Sequence, residues 1–127
     1  MKILKILLII SFLIIVFPSK LLLPNGLVII SGLVLNSSLL FNEAFNFNSF
    51  INLIMFAFAF IGTLIIILKN VKLNTIGLIL QFIWLMYMFK IKYLNDLIFL
   101  ITISIYFIIS ILFIYTYLLK KNINDYK

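Results

Sequence analysis

The sequence has no cysteine, no histidine and no arginine, and only three acidic residues among its 127. The first two absences exclude disulfide staples, thiolate zinc sites and imidazole acid–base chemistry. They also exclude haem ligation through His or Cys. Glu43, Asp96 and Asp125 lie far apart in the chain, so no carboxylate pair, triad, metal cage or phosphate loop is recognisable. No enzymatic activity, cofactor or metal is expected. Strict alternation of apolar and polar residues is missing too, which removes a transmembrane β-barrel, whose strands switch between lipid and lumen at every residue.

What fills the chain is apolar. Hydrophobic residues make up 66% and charged residues 10%, where soluble chains average about 45–50% and roughly 25%. Too little polar surface is available to cover that excess against water, and the apolar residues come in long unbroken runs. Such runs are read as helices in lipid, because a helix satisfies its backbone N–H and C=O groups within its own segment. Isoleucine outnumbers valine 27 to 4, and asparagine outnumbers alanine 11 to 3. That bias follows AT-rich codons and suggests a bacterial cytoplasmic membrane or the inner membrane of an organelle.

Five apolar segments are predicted, at about 3–17, 27–41, 51–68, 75–89 and 97–119. The fold expected is all-α: a polytopic helical bundle of four spanning helices plus a short fifth apolar segment, forming one domain over 1–127. The fifth segment, 27–41, is left open as re-entrant, interfacial or spanning. It follows the turn signal Pro24-Asn25-Gly26. Segment 3–17 has the outline of a secretory signal but no small-residue cleavage site at Phe17-Pro18-Ser19-Lys20. It is expected to be retained as an anchor. The last three segments are joined by short lysine-bearing connectors and are expected to be antiparallel neighbours.

The net charge of +7 invites a nucleic-acid partner, but the ten lysines stand almost entirely at the ends of apolar runs. There they set orientation, since cytoplasmic loops are lysine-rich. With the N-terminus inside and 27–41 not spanning, Lys2, Lys5, Lys69, Lys72, Lys120, Lys121 and Lys127 lie inside, against Lys20, Lys90 and Lys92 outside. With both 3–17 and 27–41 spanning, the division is less uneven. Either way the Lys69–Lys72 connector and the C-terminus are inside, and the Lys90–Lys92 connector is outside.

Polar residues within apolar runs are the candidates for function. An amide left unpaired in hydrocarbon is expensive, so Gln81 is expected to face a partner helix. Thr102, Tyr106 and Ser110 recur at spacings of four and mark one helix face. Asn36 stands four residues after Gly32, and Ala59, Gly62 and Thr63 form a small-residue patch open to close backbone approach. Glu43, next to 27–41, is either a solvated loop acid or a carboxylate at the membrane surface able to bind a cation or relay a proton. Asp96 precedes the last segment, where it or Asn95 is placed to cap free N–H groups. Trp84, Tyr87 and Tyr93 are expected as interfacial anchors. Each candidate has a plainer reading as helix packing, and packing is favoured over a pore.

These features point to a non-catalytic integral membrane protein. It is expected to act as an accessory or structural subunit within a larger membrane complex or homo-oligomer, surrounded by lipid, with no nucleic-acid partner. The alternatives are a small transporter or channel lined by Asn36, Glu43 and Gln81, and a membrane immunity protein.

Overall fold

A computed structural model describes residues 2–18, 23–41, 47–68 and 70–125. Among these the fold is all-helical, with α1 (Lys2–Ile14), α2 (Asn25–Phe41), α3 (Phe47–Ile67), α4 (Val71–Met88) and α5 (Leu97–Asp125). A short 3-10 turn, Ile91–Asn95, joins α4 to α5. No strand forms among the described residues; only an isolated antiparallel bridge pairs Val16 with Pro24.

The helix ends have local causes. The chain turns out of α1 at Ile14 rather than Phe17, and the Asn25 N–H closes the return by donating to the Ile15 carbonyl at 2.7 Å. Pro24 stands just before α2, its carbonyl accepting from the N–H groups of Leu27 and Val28 in the first turn. Asn70 caps α4, its side chain accepting from the Lys72 N–H at 3.0 Å, so α4 begins at Val71 rather than Thr75. Asp96 caps α5, accepting from the Phe99 N–H at 2.9 Å. A side-chain oxygen in this position satisfies a donor that the first helical turn leaves open.

Packing follows chain order from α2 to α4 but not at α5, whose main backbone neighbour is α1 rather than the expected α4; α4 and α5 meet through side chains such as Phe82 and Tyr106. Helices α3 and α4 form a hairpin, and α2 lies along α3. Helix α5 lies antiparallel to α1, with Phe12 against Tyr106 and the Val16 N–H donating to Thr102 Oγ1 at 3.3 Å. Contacts on α3 step in one direction as the chain passes from α1 into α2. The Lys5 ammonium donates to the Leu68 carbonyl, Leu13 and Gly26 meet Phe60 and Leu64 across a cleft, and Gly32 lies under the ring of Phe56. Helices α1 and α2 therefore run in the same direction, one beyond the other, and share the length of α3.

The core is aromatic and aliphatic: Leu8, Phe12, Ile15, Ile66, Trp84, Phe99 and Tyr106 are fully buried. The outward faces are equally apolar. On α5, Ile101, Ile105, Ile108 and Ile111 are all exposed, although burying such a side chain is worth about 1.5–3 kcal/mol. Two helical stretches, Phe47–Ile67 and Leu97–Tyr117, are long and apolar enough to cross a membrane, and only 17% and 22% of their apolar windows are buried within the chain. Helix α2 and the Lys72–Met88 part of α4 are shorter apolar helices.

Candidate functional site

Two hydrogen-bonded clusters, both uncharged, occupy the interior. The first centres on Gln81, fully buried on α4. Its Nε2 donates to Thr63 Oγ1 on α3 at 3.3 Å, and its Oε1 accepts from the Tyr106 hydroxyl on α5 at 2.9 Å. One amide thus ties three helices together. Thr63 and Ser110 complete the cluster by donating back to carbonyls of their own helices, Ala59 at 2.8 Å and Tyr106 at 2.8 Å. Such back-bonding leaves a hydroxyl oxygen free to accept from elsewhere, and Thr63 uses that capacity for Gln81.

The second cluster centres on Asn25, also fully buried. Its Nδ2 donates to the Phe12 carbonyl at 3.0 Å, and its Oδ1 accepts from Trp84 Nε1 at 2.9 Å. The Phe12 carbonyl belongs to the last turn of α1, where intrahelical donors run out. Asn25 therefore closes the end of one helix, opens the next, and anchors both to α4. Trp84 corrects the expectation of an interfacial anchor: it is fully buried, its ring tilted against Phe56 with 4.7 Å between centroids, and its N–H is occupied internally. Tyr93 is also buried, between Phe17 and Phe99. Tyr87 is 40% exposed, and its hydroxyl donates to Asn52 Oδ1.

Backbone contact adds to these bonds. A Cβ built on Gly62 would lie 2.9 Å from the Gly77 carbonyl oxygen, and one on Gly77 would lie 2.7 Å from that of Gly62. Helices α3 and α4 cross here with nothing between their backbones, at the small-residue patch noted on α3.

The remaining sequence candidates are dispersed. Thr102 shares the inward side of α5 with Tyr106 and Ser110, and donates to the Ile98 carbonyl at 2.9 Å while accepting from Val16. Asn36 donates to the Gly32 carbonyl within its own helix at 2.7 Å and is not joined to Gln81. Glu43 lies outside the described residues. No group of three or more His, Cys, Asp or Glu able to hold a metal occurs among the described residues.

Three contributors were not singled out as candidates from the sequence. In the sequence, Asn25 is part of a turn signal, and Gly77 stands without an adjacent small residue. Asn74 is fully buried, and neither polar atom of its amide has a partner among the described residues. Its seven-residue spacing to Gln81, two helical turns, was the signal that both share one face of α4.

The chain matches no protein family, no curated protein and no solved structure.

Proposed function

We propose that this chain is a non-catalytic integral membrane protein that crosses the bilayer four times and acts as an accessory subunit, packing laterally against other membrane proteins. The observation that carries the reading is the engagement of Gln81: each end of its buried amide is bonded to another helix of the same chain. A polar group used in this way braces a bundle, as interhelical hydrogen bonds do in membranes. Fully buried, Gln81 presents no exposed surface to a passing solute. Outward faces of Ile, Leu and Phe are suited to lipid and to the helices of a partner.

The four crossings are supported by helix lengths and directions. Helix α1 has 13 residues and α2 has 17, about 20 and 26 Å at 1.5 Å per residue, against a hydrocarbon core of about 30 Å. Helix α1 falls well short alone, and α2 stands at the lower limit for a span. Running in one direction along α3, the two make a single broken crossing, and Ile15, Phe17 and Asn25 beside the break are buried in the protein, in keeping with the condition under which membranes tolerate irregular backbone. Helices α3, α4 and α5 supply the other three. Lys2, Lys5 and Lys72 then share one side, taken as cytoplasmic or matrix, with the C-terminus, and Lys90 lies on the other.

The test is purification of the full-length chain from its native membrane in mild detergent, with identification of what accompanies it. A membrane protein recovered in fixed ratio is expected. Recovery as a stable monomer without a companion would remove the subunit reading.

A second reading, a small transporter or channel, draws on Asn74, the one interior side chain among the described residues with unpaired polar atoms. Solute flux in proteoliposomes that is lost on Asn74→Leu would favour it. Flux equal to that of empty vesicles would remove it.

A further inference from the structure

A cavity of about 370 Å³ opens between α3 and α4 at the end of the bundle where α4 gives way to the 3-10 turn. Its walls are Asn52 and Phe56 of α3, Tyr87 and Met88 of α4, and Lys90 and Tyr93 beyond it. That volume lies within the usual range for small-molecule sites. We propose that it is a binding site for the phosphate-bearing headgroup of an anionic glycerophospholipid, an inference that rests on the membrane reading.

The polarity of the lining selects the ligand. The Asn52 carbonyl is occupied by the Tyr87 hydroxyl, so the amide presents its N–H₂ donors. Lys90 is exposed, and no carboxylate among the described residues pairs with it. The site therefore offers an ammonium and amide donors, with no acidic group among the described residues of its lining: a set suited to an anion and not to a cation. Phe56, Met88 and the tyrosine rings add apolar and aromatic walls, which inorganic phosphate does not need and a glycerol ester does. The cavity adjoins a lysine-marked end of the bundle, where aromatic rings and lysines meet lipid headgroups. Within a bilayer such headgroups outnumber every other phosphate compound at that depth.

The experiment uses the full-length chain purified in a nonionic detergent, with thermal unfolding and native mass spectrometry as readouts. The probes are dihexanoyl phosphatidylglycerol, dihexanoyl phosphatidylcholine and inorganic phosphate. The phosphatidylglycerol is expected to bind one molecule per chain and raise the unfolding temperature, with inorganic phosphate having no effect at equal concentration. Lys90→Gln is expected to weaken that binding by about ten-fold, the scale of one charge-assisted hydrogen bond. Asn52→Leu should weaken it less, and Lys72→Gln, at the other end of α4, should leave it unchanged. Lys90 is exposed, so its variant tests binding without disturbing the fold. Equal losses in the Lys90 and Lys72 variants would reveal general electrostatic attraction and overturn the site. Equal binding of inorganic phosphate, or preference for phosphatidylcholine, would overturn the assignment of its ligand. Should the protein prove soluble without detergent, the membrane reading itself fails, an outcome separate from absence of binding by a detergent-dependent protein.

Discussion

The carbonyl oxygen of Gly62 occupies the place that a side chain on Gly77 would need, 2.7 Å from its Cβ position. The reciprocal distance from Gly62 to the Gly77 carbonyl is 2.9 Å. Both obstacles are backbone atoms, so a methyl group at either position is accommodated only by moving one helix away from the other. Where lipid surrounds a bundle, association depends on this kind of close van der Waals fit. Gly77→Ala is expected to destabilise the protein by about 1–3 kcal/mol, the usual cost of overpacking, and Gly62→Ala by a similar amount. Thermal unfolding in detergent measures both. An unchanged midpoint in either variant would show that the crossing is not tight.

Gln81 and Tyr106 provide a test of coupling. Removing the hydroxyl with Tyr106→Phe leaves Gln81 Oε1 buried without its partner, which costs about 1–3 kcal/mol. Replacing both, as Gln81→Leu with Tyr106→Phe, removes the polar groups together. The double variant should be more stable than the sum of the two single losses implies, by about 0.6 kcal/mol or more. Strict additivity would mean that the bond contributes nothing to the bundle.

Asn74 carries the opposite expectation. Both polar atoms of its amide are buried and unpaired among the described residues, so an apolar residue of similar volume relieves a desolvation penalty of about 1–3 kcal/mol. Asn74→Leu should raise the unfolding temperature. A fall instead would show that the amide has a partner outside the chain, a bound water or ligand.

The helices were legible in the sequence because long apolar runs bounded by lysine admit little else. Their ends were less so. Asn70 and Asp96 extended or fixed two starts through side-chain caps, while α1 stopped early because Asn25 returns to Ile15 and Phe12. The polar spacing on α5 marks one face, and the structure turns Tyr106 and Ser110 of that face into the interior. Which groups they would meet was not legible, since Thr63, Gln81 and Tyr106 are brought together by tertiary packing across three helices. Trp84 was misread for the same reason. Its position near the end of an apolar run matches a headgroup anchor, and only the burial of Asn25 beside it reveals an interior partner.

Trp84 is the single tryptophan of the chain, so its fluorescence reports its surroundings without interference. Fully buried and bonded to Asn25, it should emit in the blue and resist quenching by aqueous iodide in reconstituted vesicles. Asn25→Ala should shift the emission and lower stability, because Trp84 Nε1 and the Phe12 carbonyl lose their partner together. Efficient iodide quenching in the parent protein would return Trp84 to the membrane surface and break the proposed junction of α1 and α2.

Orientation is testable because the chain contains no cysteine. Single cysteines placed at Lys2, Asn70 and Lys90 can each be probed with an impermeant thiol reagent in sealed vesicles. If α1 and α2 make one broken crossing, Lys2 and Asn70 lie on the same side and Lys90 on the other. If each crossed separately, Lys2 would share the side of Lys90, because one additional crossing reverses the N-terminus relative to α3. Labelling of positions 2 and 70 from one side, with 90 from the opposite side, is the expected result. Any pattern that places 2 with 90 removes the broken crossing, and with it the role assigned to Asn25 at mid-depth.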